Sequence, residues 1–505
     1  MPISFNRIPS NWRMPLYWVE LDPSKAGLGQ TPGRSVLVGI KLAAGTAVND
    51  TPIPCASQAA ADALFGQGSQ LAGMFSAFFA NNWANEVWGL PVAEPTGAPA
   101  VGTITVATAP TAAGTIDLYI AGRNVPVYVG ATDPVATIAT SIAAAITANT
   151  QTLPVIATAA LGVVTITSKY KGTSGNEIKL SDSYYGTVGG EMLPPGVTLT
   201  YVQPTGGTGD PTFTAAISNL GESEVDYICM PFMDSTSLLA WETEMGFSDT
   251  GRWGFVRQHY GHLFGSKRDT VANLLTFGAT RNSGQNSILG IELLSPTPAY
   301  EWAAAYTAKA ARALVNDPAR PLQTLTLDSC LPAPGKSRFL LSELNQLAYG
   351  GIATQRTPVD VPMIMRESTT YTKNLYGNSD DAYELVTTLA TLAALLRNQR
   401  QAITSKFPRH KLADDGTRFG AGQAIVTPII IKAELVAQYR IDEFNGLVEN
   451  GKAFKNNLIV ERDSNDPNRI NVLYPPDLIN QLRVFAVLAQ FRLQYDRGID
   501  TVIAA

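Results

Sequence analysis

Histidine and cysteine are both scarce: the 505-residue chain holds three of each. Cys55, Cys229 and Cys330 form no CxxC pair, and their odd number points to unpaired thiols in a reducing compartment rather than a disulfide framework. His259 and His262 stand three apart in His259-Tyr260-Gly261-His262, but no cysteine or further histidine lies nearby to complete a zinc site, so no metal is expected. Charge is sparse as well, at 16% Asp, Glu, Lys and Arg, against about 25% in a typical globular chain. The net charge of −5 argues against a general affinity for nucleic acid, which needs a basic domain or stripe. No stretch approaches the roughly 18 consecutive apolar residues that span a bilayer. The richest, 425–436, is interrupted by Pro428, Lys432 and Glu434. The opening run Met1-Pro2-Ile3-Ser4-Phe5-Asn6-Arg7 lacks the apolar core of a signal peptide, so the expectation is a protein made and folded in a cytosol.

What is present is a folded, turn-rich chain. Hydrophobic residues make up 45%, which with the small net charge excludes intrinsic disorder, and there are 43 glycines and 32 prolines. A surface so poor in charge suits contact with other protein.

The length calls for several domains. Residues 1–40 read as an extended arm, because Pro2, Pro9, Pro15, Pro23 and Pro32 interrupt any helix. Within it, Leu16, Tyr17, Trp18, Val19, Glu20 and Leu21 form a β-prone run whose apolar area needs a partner surface. Helical spacing follows over 56–90, with Ser57 as an N-cap and Leu71, Met74, Phe75, Phe78 and Phe79 on one face. From 95 to 214 the composition turns to Ala, Thr, Gly and Val, with about ten charged residues. Strand alternation recurs there at 102–107, 115–120, 125–129, 163–167 and 197–202, with one helix at 133–149 capped by Asp133. Pro/Gly-rich stretches at both ends mark it as an inserted β-rich domain.

Around the insertion, 41–94 and 215–375 alternate strands (225–230, 253–258, 287–293) with helices (236–245, 267–274, 298–314), the pattern of a layered α/β domain on a mostly parallel sheet. A C-terminal domain over 376–482 opens with a helix at 379–403 and carries strands at 458–462 and 469–473. The last segment, 483–505, is a strand or arm in which Val484, Phe485, Val487, Phe491 and Leu493 are the apolar positions, long enough to leave its own domain. The fold class is therefore α+β or α/β and multidomain: a layered core, extended β arms at both ends and an inserted β-rich domain.

Active-site chemistry is not apparent, and no catalytic or cofactor-binding residue is assigned. Pro334-Gly335-Lys336-Ser337 comes nearest to a phosphate loop, but Cys330 stands where the motif needs glycine, and Pro332 and Pro334 remove two amide donors. Gly420-Ala421-Gly422 lacks the strand-to-helix context of a dinucleotide loop, and no Gly-x-Ser-x-Gly elbow occurs. A basic stretch is more informative. Arg397, Arg400, Lys406, Arg409, His410 and Lys411 are either a solvated helix end or a docking patch for an acidic protein surface.

Two strings resemble a known family. Ile8-Pro9, then Arg13-Met14-Pro15-Leu16-Tyr17-Trp18-Val19-Glu20-Leu21-Asp22 and Ala26-Gly27, resembles the start of Mu-like phage tail sheath proteins. So does Arg397 to Arg400, continuing through Lys406-Phe407-Pro408-Arg409-His410-Lys411-Leu412-Ala413-Asp414-Asp415-Gly416 into Ile425-Val426-Thr427-Pro428. The resemblance covers the chain outside roughly 95–214, the region expected to vary and to lie outermost. It implies a contractile sheath subunit, stacked in hexameric rings as a helical homo-oligomer around a tail tube, with baseplate and tail terminator proteins as further partners. It implies contraction that drives the tube through the bacterial envelope, no cofactor, and a place in the virion tail after assembly in the host cytoplasm. It also implies that both arms donate strands to neighbouring subunits, which assigns Leu16–Leu21 and Val484–Leu493 to that role and Arg397, Arg400, Lys406, Arg409 and Lys411 to a tube-facing patch. Without the resemblance, a surface adhesin displaying the β-rich insertion, or a nucleotide-dependent enzyme, would be the competing readings.

Overall fold

The run Ser-Val-Leu-Val-Gly-Ile at 35–40 buries every residue, which a strand achieves only when both faces of its sheet are covered. The computed structural model describes residues 33–493, and in it this run is β1 (Ser35–Ile40), an inner strand of a parallel sheet. The arm expected to reach residue 40 therefore gives way to buried core at Ser35. β2 (Ile53–Pro54), α1 (Gln58–Phe65), α2 (Gln70–Asn81) and β3 (Val87–Val92) follow. Ser57 caps α1 as its spacing indicates, its hydroxyl accepting from Ala60 N at 3.2 Å.

The Ala/Thr-rich region comprises β4 (Pro99–Thr108), β5 (Gly114–Ile120), β6 (Arg123–Val129), α3 (Val135–Ala148), β7 (Val155–Ala160), β8 (Val163–Lys171), β9 (Leu180–Asp182) and β10 (Thr198–Thr205). Its sheets run β10-β4-β8-β7 and β6-β5-β9. Together with α3 they enclose a core of their own around Ile104, Leu118, Ile142 and Ile166. The cap expected from Asp133 is absent: its carboxylate accepts from Gly130 N at 2.7 Å in the preceding turn, and Pro134 takes the cap position.

The chain then continues through α4 (Thr214–Leu220), β11 (Tyr227–Cys229), α5 (Ser235–Met245), β12 (His262–Asp269), α6 (Val271–Gly278), β13 (Asn286–Glu292) and α7 (Ala299–Asn316). After these come α8 (Leu341–Tyr349), β14 (Thr354–Arg356), β15 (Met363–Arg366) and α9 (Val386–Lys406). The main sheet has the order β13-β12-β11-β1-β3-β2 and is parallel except for β2. Leu37 and Cys229 pack with α2 and α7 on one face; Val38, Ile228 and Leu263 pack with Phe213 and Trp241 of the α4–α5 side on the other. The layered α/β core is as expected. Buried alanines at 303–305, 308, 310 and 311 let α7 lie close against its neighbours.

Tertiary pairing overrides local pattern in three places. Residues 253–258 are a turn rather than a strand, anchored by Trp253 Nε1 donating to Gly261 O at 2.8 Å. The strand lies just beyond, at β12, whose in-register neighbours β11 and β13 claim residues expected to begin a helix. The helix expected from 379 starts at Val386, because Glu384 O is taken by Thr369 N at 2.7 Å and Leu385 bridges Ser368.

Two compact units result. The larger ends at Ala393, apart from Ala319–Pro321; the smaller holds those three residues and the chain from Ala394. The smaller unit contains the remainder of α9, then β16 (Lys411–Leu412), β17 (Ile425–Val426), α10 (Pro428–Phe444), α11 (Gly451–Asn457), β18 (Ile459–Arg462) and β19 (Ile470–Leu473). Its core is built on Leu395, Leu435, Tyr439 and Phe454, the two rings stacked with centroids 3.7 Å apart. Buried Asp442 of α10 accepts from Asn398 Nδ2 of α9 at 2.8 Å and from Gln438 Nε2 at 3.1 Å, which fixes one helix on the other.

Candidate functional site

The surfaces expected to join subunits differ in how they stand in the structure. Leu16, Tyr17, Trp18, Val19, Glu20 and Leu21 lie outside the described residues. The C-terminal stretch is described to Leu493, and over 483–493 no strand forms where one was expected. A strand exists only within a ladder, and 483–493 belongs to no sheet among the described residues. Its apolar side chains stand in solvent, Phe485 at 83%, Phe491 at 86% and Leu493 at 98% exposure, with Val484 and Val487 exposed as well.

In the same unit, β18 and β19 form an antiparallel ribbon that pairs Ile459 with Leu473 and Arg462 with Ile470. No third strand joins it among the described residues. Ile459 and Leu473 are exposed, so the ribbon presents open edges and an unshielded apolar pair. A lone two-stranded ribbon is marginal in water, and an open edge is a template for a further strand. Both strands were legible in the sequence; that they would pair only with each other was not.

The basic stretch falls at the end of α9 and the turn after it, all within the smaller unit. Arg397 is half-buried, whereas Arg400, Lys406, Arg409 and Lys411 are exposed. Lys406 pairs with Glu434 of α10, Lys411 Nζ donates to Gln423 Oε1 at 3.1 Å, and the His410 ring meets the edge of Phe407. The five cations are thus near one another in the chain, and Glu434 partly neutralises Lys406.

Pro334-Gly335-Lys336-Ser337 is a single 3-10 turn in which Ser337 N donates to Pro334 O at 2.8 Å, leaving no strand-loop-helix cradle. The two histidines do not converge. His262 is buried beside Phe264, while His259 Nε2 lies 2.9 Å from Glu222 Oε2. No group of three or more metal-ligating side chains occurs among the described residues. The three thiols are free and buried, and burial pushes Cys55 up to about 11 and Cys229 up to about 12. No described helix is long and apolar enough to cross a membrane.

One surface feature went unread in the sequence. Asn374 Oδ1 accepts from Tyr376 N at 3.0 Å and Asn378 N at 3.1 Å, closing a turn that holds Leu375 and Tyr376 out in solvent. The Asn-x-x-Gly-Asn spacing was the available signal.

Comparison with known proteins gives a consistent result. A family model described as phage tail sheath protein central domain matches residues 206–370, and one described as phage tail sheath C-terminal domain matches 378–492. The Mu-like prophage FluMu tail sheath protein of Haemophilus influenzae is 42% identical over 497 residues, covering 98% of this chain and all of the relative. That alignment runs through the Ala/Thr-rich insertion, which is therefore shared with this relative rather than outside the resemblance. Among solved structures, the sheath tail protein of Desulfitobacterium hafniense aligns over 93% of this chain and 97% of its own, with a TM-score of 0.49 and 10% identity. The anti-feeding prophage helical sheath in its contracted state aligns over 95% and 99%, with a TM-score of 0.46 and 9% identity.

Proposed function

This chain belongs to the phage tail sheath family, and from that premise we propose how its surfaces serve a sheath. It is a structural subunit of a contractile tail sheath and a component of the virion tail. In this reading it polymerises with itself as hexameric rings stacked around a tail tube, meets baseplate and terminator proteins at the ends, and assembles in the host bacterial cytoplasm.

The observation that carries the reading is the row of exposed apolar side chains Val484, Phe485, Val487, Phe491 and Leu493, in a unit that also holds a two-stranded ribbon with open edges among the described residues. Adding a strand to a neighbour's open edge satisfies the backbone groups of both chains while alternate side chains gain cover. Each large apolar side chain so buried contributes about 1.5–3 kcal/mol before ordering costs. We assign Val484, Phe485, Val487, Phe491 and Leu493, with Leu16–Leu21 at the other end, as donated strands and β18–β19 as the acceptor. Because such arms can bend while the ladder stays intact, subunits can rotate without separating. Contraction then needs no cofactor: a difference of about 1–2 kcal/mol per subunit decides the outcome when many subunits convert together.

Truncation tests this. Deleting 483–505, or separately 1–24, should leave a folded monomer by gel filtration and circular dichroism, where the full chain forms striated hollow tubes in negative-stain electron microscopy. Tubes formed by either truncated chain would remove that arm from the assembly.

A further inference from the structure

Within the larger unit, the insertion is joined to the sheet domain by more than its two chain crossings. The stretches that read as linkers are laced together: Ala98 N donates to Thr208 Oγ1 at 3.1 Å and Thr208 N to Ala98 O at 3.1 Å. Asn176 both donates to Gly207 O at 3.0 Å and accepts from Gly207 N at 2.9 Å. A Cβ on Gly97 would stand 1.9 Å from Thr208 O, so the two segments touch backbone to backbone.

Two arginines then cross the boundary in opposite directions. Arg268, in β12 of the sheet domain, has a side chain only 2% exposed. Its Nη1 donates to Ser295 O at 2.7 Å and Thr297 O at 3.3 Å. Its Nη2 donates to Glu177 Oε2 at 2.6 Å and also to the Glu177 carbonyl. Glu177 closes the 3-10 turn Thr173–Glu177 of the insertion. From the insertion side, Arg123 Nη1 at the start of β6 donates to Glu301 Oε1 at 2.9 Å, in the first turn of α7. The Glu301 side chain is 8% exposed; burial pushes its carboxyl up, and the guanidinium pulls it back. Beside Arg123, the turn at Gly122 abuts Thr297, whose Oγ1 would lie 2.7 Å from a Cβ there.

We propose that Arg268 and Arg123 form an orientation lock that holds the insertion in one pose on the sheet domain, so that it moves with β12 and α7 as a single body. Apolar burial is non-directional, and a boundary held by it alone can slide. A guanidinium fork bound to named carbonyls and a carboxylate has one geometry. A buried ion pair adds little stability over an apolar replacement, but every pose that leaves one of its charges buried and alone is penalised. Each pair has one buried member, Arg268 in one and Glu301 in the other, and the two sit at different points, the end of β12 and the start of α7, so together they oppose rotation about either one. The insertion is then a rigid outrigger of the subunit rather than a tethered ornament.

The test uses the full-length chain and reads limited proteolysis together with hydrogen exchange by mass spectrometry. In Arg268→Gln, cleavage within 94–99 and 204–211 should rise about tenfold or more. Exchange should rise at 173–177 and 293–298, while β1 and β11 stay protected. Arg268→Lys, which keeps the charge but loses the fork, should fall between Arg268→Gln and wild type. The paired Arg123→Met/Glu301→Met variant should melt near wild type yet show the same local loosening. Wild-type cleavage in Arg268→Gln would overturn the proposal. So would loss of protection spread evenly through β1 and β11, which would make Arg268 a general stabiliser. If Arg268→Gln fails to fold, Arg268→Lys decides: raised stem cleavage with β1 protected supports the lock, and unchanged cleavage refutes it.

Discussion

His262 places its ring beside Phe264, centroids 4.9 Å apart, with no hydrogen-bond partner on either nitrogen among the described residues. Complete burial pushes its pKa down to about 3 from the ordinary 6.5. The unfolded chain takes up a proton at this residue as pH falls below 6.5 and the native chain does not until about 3. Stability is therefore lost on acidification through that window, with a slope approaching about 1.4 kcal/mol per pH unit from this one residue. His262→Leu should flatten that dependence. Urea midpoints measured at pH 7 and pH 4.5 check it, and an equal drop for wild type and variant would show that burial of the imidazole is not the cause. The spacing of His259 and His262 was plain in the sequence. Whether the two rings met was not, because β12 takes His262 into the core while the turn before it sends His259 to Glu222.

Among elements, α9 carries the clearest assembly prediction. Exposed ion pairs are each worth about 0.2–1 kcal/mol, a weakness that suits a contact made many times in a ring and broken on triggering. Reversing Arg397 and Arg400 to glutamate should weaken assembly on tail tubes, more so at low salt, and leave self-association of the sheath intact. Co-sedimentation with tubes measures the effect, and unchanged tube-dependent assembly would withdraw the patch. The helices were legible where apolar spacing was regular, as in α2 and α7. Boundaries moved where a backbone group was claimed from afar: Glu384 by Thr369, and β12 by two parallel neighbours. The C-terminal arm shows the converse. Its apolar residues favour a strand, yet over the described 483–493 none forms, because a strand needs a ladder and these residues join no described sheet.

For the whole molecule, the arms, ribbon and basic stretch lie outside the insertion. Replacing 95–210 with a short Gly-Ser bridge should therefore leave a chain that still polymerises, with a thinner tube wall by electron microscopy. A variant that folds by circular dichroism yet stays monomeric would place an assembly contact on the insertion itself.

Local strings determined the family, the two long ones marking a sheath subunit. Strand alternation and cap residues set most elements as well, since those preferences act within a few residues. The docking of the insertion was decided only in three dimensions. Arg123 and Glu301 are 178 residues apart, and Glu177 and Arg268 are 91 apart. In the sequence they are four scattered charges in a chain with few of them. Burial makes them matter, because a charge taken out of water must find its opposite, and only the folded backbone brings the two together.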